Sequence, residues 1–134
     1  MDMATIMLID EPTRLRELLS SILRMRGYAV LECDGGQDFF KRLRRVRPDL
    51  VIVEAILPVM SGFEICSTLR RDPILKDVPT LMMCSEKHHL LKGGAWREHV
   101  PADEFIARPF GVQELLVRVA TLTRPVPNVG ARSG

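Results

Sequence analysis

Short apolar runs alternate along the chain with longer segments whose apolar residues recur every three or four positions. That is the pattern of strands alternating with amphipathic helices. The first run is Thr5-Ile6-Met7-Leu8-Ile9, and Asp10-Glu11-Pro12 breaks it at a polar turn. In the next segment Leu15, Leu18, Leu19, Ile22 and Leu23 share one helical face, Arg14, Arg16, Glu17 and Arg24 fall largely outside it, and Gly27 supplies the stop. The same alternation predicts strands over 28–32, 50–53, 80–83 and 104–107. It predicts helices over 37–46, over 62–71 with Phe63, Cys66 and Leu69 inward, and over 112–122 with Leu115, Leu116, Val119 and Leu122 inward. Between the fourth and fifth strands lies Gly93-Gly94, and each glycine costs a helix about 1 kcal/mol relative to alanine. A short, irregular fourth helix is expected there.

Five strand-and-helix repeats with largely apolar strands predict an α/β fold, a doubly wound five-stranded parallel sheet covered on both faces by its crossover helices. In such sheets chemistry collects beyond the carboxyl ends of the strands. The strands would deliver Asp10 and Glu11, Glu54, Cys84 and Ser85, and Arg108 to that edge. Residues 1–124 read as one domain and 125–134, with two prolines, as a tail or linker.

Composition narrows the function. A chain of 134 residues with 46% apolar content supports one core. Its net charge of +2, from 19 basic and 17 acidic residues, argues against nucleic acid as a default partner. The run Lys41-Arg42-Leu43-Arg44-Arg45 with Arg47 reads as the solvated face of a helix whose apolar stripe is Phe39, Phe40, Leu43 and Val46. Cys33, Cys66 and Cys84 form no CxxC pair, which fits reduced thiols and gives no zinc site. No run approaches the roughly 20 apolar residues of a membrane span, and no signal sequence opens the chain, so a soluble cytoplasmic protein without membrane contact is expected.

Four stretches together resemble the response-regulator receiver domain, the CheY-like superfamily. They are Leu8-Ile9-Asp10-Glu11-Pro12, the run from Pro48 to Pro58, Leu57-Pro58-Val59-Met60-Ser61-Gly62 and Ala107-Arg108-Pro109-Phe110, and the match extends over about residues 5–124. The resemblance implies a flavodoxin-like strand order 2-1-3-4-5. It also puts Asp10 in place of the acid that ligates magnesium directly, and Ile9 in place of that acid's acidic neighbour. Glu54 stands for the phosphoacceptor aspartate, Cys84 for the threonine or serine after the fourth strand, Phe105 for the aromatic switch residue and Arg108 for the lysine.

Four of those positions depart from the family pattern: Ile9, Glu54, Cys84 and Arg108. Phosphoryl transfer depends on in-line geometry and charge stabilisation, and the extra methylene of glutamate moves the carboxylate by roughly 1 Å, a displacement that costs about 100-fold in an organised site. Ile9 removes a water-mediated ligand of a hard cation. A thiol donates weakly, and arginine replaces a compact ammonium with a planar fork suited to a carboxylate, so Glu54 and Arg108 are expected to pair directly.

The expectation is therefore an atypical, non-enzymatic receiver of two-component signal transduction, independent of phosphorylation. By the resemblance, it acts on protein partners through its fourth helix, fifth strand and last helix, including Phe105, Gln113, Glu114 and Arg118. In this reading Glu54 is either an inert, satisfied carboxylate or a constitutive mimic of the phosphorylated state. No resident cofactor is expected, and magnesium at Asp10, Glu54 and the Ile56 backbone would be weak. The alternative is a phospho-accepting receiver that uses magnesium with Glu54 as acceptor. A nucleotide or flavin binder is more remote, since neither a GxGxxG nor a P-loop pattern follows the first strand. Cys84 reads as a half-buried strand end rather than a redox sensor, His88, His89 and His99 as surface residues, and Trp96 as packing over the sheet. A homodimer is left open.

Overall fold

Strands β1 (Thr5–Ile9), β2 (Ala29–Cys33), β3 (Leu50–Glu54), β4 (Thr80–Ser85) and β5 (Glu104–Arg108) form one parallel sheet in the order β2-β1-β3-β4-β5. This arrangement belongs to a computed structural model that describes residues 3–35, 39–85 and 100–124. The helices are α1 (Arg14–Met25), α2 (Phe39–Val46), α3 (Gly62–Arg71) and α4 (Val112–Thr123). None is long and apolar enough to cross a membrane. The expected fourth helix with Trp96 and the three histidines, and the tail over 125–134, lie outside the described residues.

Burial explains the uninterrupted apolar runs. β3 is buried at every position because helices cover both sides of the sheet and β1 and β4 flank it. Successive residues then serve opposite cores. Met7, Ile9, Val51, Val53, Met82 and Cys84 pack with Phe39 and Leu43 of α2 and Ile65, Cys66 and Leu69 of α3. On the other face Ile6, Leu8, Leu50, Ile52, Leu81 and Met83 pack with Leu19 and Leu23 of α1 and Leu115, Leu116 and Val119 of α4.

Local chemistry fixes the helix ends. Thr13 caps α1 by accepting from the Arg16 N–H, and Gly27, at φ +95°, takes the left-handed turn beyond it. Ser61 and Glu64 form a capping box at the start of α3. Arg70 anchors the opposite end of α3. Its guanidinium donates to the carbonyls of Lys76, Val78 and Pro101, to the Thr80 hydroxyl and to Asp103, tying the amino ends of β4 and β5 together.

Several boundaries and faces differ from the sequence reading. β3, β4 and β5 run one or two residues further, to Glu54, Ser85 and Arg108, because the ladder pairs Glu54 with Met83 and Ser85 with Arg108. β2 sits one residue later than expected. Leu18 is 57% exposed rather than inward. The buried face of α1 is centred on Leu19, Ser20 and Leu23, and Leu18 lies roughly 140° around the helix from Leu23. In α3, Ile65 takes a fully buried position while Phe63 is half-buried, and Leu122 of α4 is half-buried as well.

Candidate functional site

The carboxyl ends of β1, β3, β4 and β5 open onto one cleft of about 400 Å³, lined by Asp10, Glu11, Thr13, Leu15, Glu54, Ile56, Ser85 and Arg108. Strand order sets who can meet whom. Glu54 ends β3 and Arg108 ends β5, with β4 between them, so a contact must reach across two strand spacings, roughly 9.6 Å of backbone separation. Two long side chains make that reach. Arg108 Nη1 donates to Glu54 Oε1 and Nη2 donates to Glu54 Oε2 at 3.2 Å, a bidentate fork over the end of β4. The N–H of Ile56 donates to the same Oε2 at 3.4 Å.

The pair is well shielded, with the Glu54 side chain 9% exposed and that of Arg108 30% exposed. Burial works against the Arg108 charge, but the hydrogen bond and charge of Glu54, followed by Asp10 and Cys84, outweigh it and raise the guanidinium pKa. Asp10 is buried beside them. Its Oδ1 accepts from the Glu11 N–H at 2.8 Å, while desolvation, with the Glu54 charge adding to it, lifts its pKa above the ordinary 3.8.

A tight turn brings Glu54 into place. The Gly62 N–H donates to the Ala55 carbonyl at 2.8 Å, and a Cβ on Gly62 would stand 2.3 Å from the Glu54 carbonyl oxygen, so only glycine permits this approach. Arg16 of α1 donates to the Asp10 carbonyl at 2.9 Å and pairs with Glu32 at 2.9 Å, holding the β1–α1 turn against β2. The peptide bond between Arg108 and Pro109 is cis.

Asp10, Glu11, Glu54 and Arg108 thus come together as the sequence placed them, and Ser85 joins them in the cleft. Cys84 does not. It is fully buried, and its thiol donates to the Ile106 carbonyl at 3.7 Å. Ile9 is fully buried in the core on the α2 and α3 side of the sheet, and Phe105 packs half-buried against the same core. Arg16 and Thr13 escaped the sequence reading. Arg16 lay outside the apolar stripe of α1, and nothing in its local sequence distinguishes a surface arginine from one that reaches the β1 turn.

In this arrangement Glu54 and Arg108 neutralise each other. Among the described residues no group of three histidine, cysteine or carboxylate side chains could hold a metal ion. Both Glu54 oxygens already accept hydrogen bonds from Arg108, and one also accepts from Ile56.

Comparison with known proteins agrees with this fold. The family model described as the response regulator receiver domain matches residues 6–120. The phosphate regulon transcriptional regulatory protein PhoB of Pseudomonas aeruginosa is 31% identical over 122 residues, which cover 90% of this chain and 52% of PhoB. The DNA-binding dual master transcriptional regulator RpaA of Synechocystis is 32% identical over 127 residues, 91% of this chain and 50% of RpaA. The chain spans about half the length of these curated relatives. Among solved structures, the chemotaxis response regulator CheY4 of Vibrio cholerae superposes with a TM-score of 0.78 at 26% identity, covering 90% of this chain and 99% of CheY4. The response regulator TrrA of Thermotoga maritima, in complex with Mg2+ and BeF, gives 0.74 at 28% identity, covering 90% of this chain and 99% of TrrA. With its 2-1-3-4-5 sheet and a family match across most of its length, the chain belongs to the response regulator receiver domains of two-component signalling.

Proposed function

We propose that this receiver is atypical: it holds one conformation without being phosphorylated and acts by offering that conformation to protein partners. The observation that carries the reading is the bidentate pair of Glu54 and Arg108. In the family pattern the residue at Glu54 is the phosphoacceptor aspartate and the residue at Arg108 is a lysine. Here the longer acid and the planar cation span the distance between β3 and β5 themselves. A carboxylate carries less charge and fewer acceptor oxygens than an acyl phosphate, but it gives Arg108 a fixed anionic partner in the same cleft.

The pair also weakens the chemistry of a phosphorylation cycle. An in-line attack needs a carboxylate oxygen free to approach phosphorus, and a magnesium ion favours a carboxylate whose charge is not already matched by a cation. While Arg108 grips Glu54, both oxygens face the guanidinium and the carboxylate charge is matched by it. Ile9 cannot supply the missing acid, and the Cys84 thiol is committed to the sheet.

The partner surface in this proposal is β5 with α4. Val112 and Val117 are 51% and 58% exposed there, beside Gln113, and Arg118 bridges Glu104 and Glu114 at 2.7 and 3.4 Å. Such a mixture of exposed apolar side chains and fixed charges suits recognition of a protein. PhoB and RpaA carry names that describe transcriptional regulators, and a role for this chain in controlling a transcriptional output is part of the same proposal.

Incubation with magnesium and a small-molecule phosphodonor tests it. The expected result is no stoichiometric, hydroxylamine-labile adduct; such an adduct on Glu54 eliminates the reading in favour of a phospho-accepting receiver. An NMR titration with magnesium and beryllium fluoride, run on wild type and on Glu54→Asp, then locates the cause. A response in the variant alone assigns the loss to the Glu54 side chain, and silence in both assigns it to Ile9, Cys84 and Arg108 as well.

A further inference from the structure

The outer edge of β2 carries two arginines where an unprotected strand would present free acceptors. Among the described residues β2 pairs only with β1, so its other side faces away from the sheet. In a parallel ladder alternate residues bond to the neighbour. The Ala29 N–H donates to the Ala4 carbonyl and the Cys33 carbonyl accepts from Asp10, which turns Ala29, Leu31 and Cys33 toward β1 and leaves Val30 and Glu32 as the outward residues. Both outward carbonyls are taken. Arg24 of α1 donates to the Val30 carbonyl at 2.9 Å, and Arg42 of α2 donates to the Glu32 carbonyl at 2.9 Å.

The two arginines arrive from opposite faces of the sheet, since α1 and α2 belong to different cores. Arg24 is held there further by the Glu32 carboxylate at 3.4 Å, which Arg16 also reaches at 2.9 Å. An incoming strand needs those same two carbonyls for its own N–H groups and would have to displace two charge-assisted bonds to reach them.

We infer that Arg24 and Arg42 are a guard on the β2 edge, and that this edge is a latent pairing surface for β2 of a second copy. Two β2 strands related by a two-fold axis and centred on Leu31 would set Val30 of one copy opposite Glu32 of the other, so the outward donors and acceptors are self-complementary. With the guard in place the sheet ends at β2, and partners are directed to other faces of the domain. The inference is independent of the state of Glu54.

The test is the oligomeric state of the double variant Arg24→Gln with Arg42→Gln under reducing conditions. Wild type is expected to keep the mass of one chain by light scattering at every concentration. The double variant is expected to rise toward twice that mass with concentration, while amide exchange at Val30 and Glu32 slows. A folded double variant that stays at the mass of one chain overturns the inference, as does a dimer that leaves exchange at Val30 and Glu32 unchanged. If circular dichroism shows the double variant unfolded, the single variants carry the test with the same readouts: partial association at the β2 edge is expected, and folded singles that remain entirely monomeric overturn it.

Discussion

Arg108 at the end of β5 grips Glu54 at the end of β3 with both terminal nitrogens of its guanidinium, across the end of the intervening β4. The contact joins two of the strands that open onto the cleft and commits the only arginine that lines it among the described residues. Its energetic value is asymmetric: an intact shielded pair adds modestly to stability, whereas a shielded carboxylate left alone is costly.

Removing the cation should therefore destabilise the fold far more than reshaping it. Arg108→Met is expected to lower unfolding free energy by about 3 kcal/mol, because it strands the Glu54 charge. Arg108→Lys keeps the charge and loses the fork, and should cost about 1 kcal/mol. Urea denaturation of both variants, with Glu54→Gln completing a double-mutant cycle, measures the coupling.

Asp10 gives a pH signature of opposite sense to an ordinary paired carboxylate. Burial, then the charges of Glu54 and Glu11, outweigh the Glu11 N–H and Arg108 and raise its pKa from 3.8. The folded protein thus binds more protons than the unfolded chain between 3.8 and the raised value. Stability from this group falls as pH rises through that window and stays lower above it. Asp10→Asn should stabilise the protein at neutral pH and remove that part of the pH dependence, as read by thermal unfolding across the acid range.

Asp72 should behave in the reverse way. Burial raises its pKa, but the N–H groups of Ile74 and Leu75 and the guanidinium of Arg44 together hold it below 3.8. Its contribution is present above 3.8 and disappears as pH falls through the lowered folded value. Asp72→Asn is expected to reduce stability at neutral pH and flatten the acid limb of the same unfolding profile.

Gly62 tests the turn that presents Glu54. A methyl group there would meet the Glu54 carbonyl oxygen at 2.3 Å and the Ala55 Cα at 2.9 Å, both backbone atoms with little freedom to yield. Gly62→Ala should cost roughly 1–3 kcal/mol and weaken the bond from Gly62 N–H to the Ala55 carbonyl. Chemical denaturation reads the loss, and faster amide exchange at Gly62 shows that the turn has opened.

The alternation of apolar runs and amphipathic segments determined the fold from the sequence, because strands buried on both faces and helices buried on one impose different hydrophobic periods. It placed Asp10, Glu54 and Arg108 at one sheet edge, since each follows the last apolar residue of its strand. The pairing of Glu54 with Arg108 was legible too, given the strand order implied by the resemblance and the complementary shapes of the two groups. Leu18 and Cys84 were misplaced for a shared reason. A helical stripe does not say which of its edges meets the sheet, and the residues at a strand's end do not say which of them turns into the cleft; neighbouring elements decide both. Arg16, Arg24 and Arg42 look alike in sequence as surface arginines. Only the tertiary structure brings one to the Asp10 turn and the other two to the β2 edge, because the carbonyls they satisfy belong to strands that lie beside them in space.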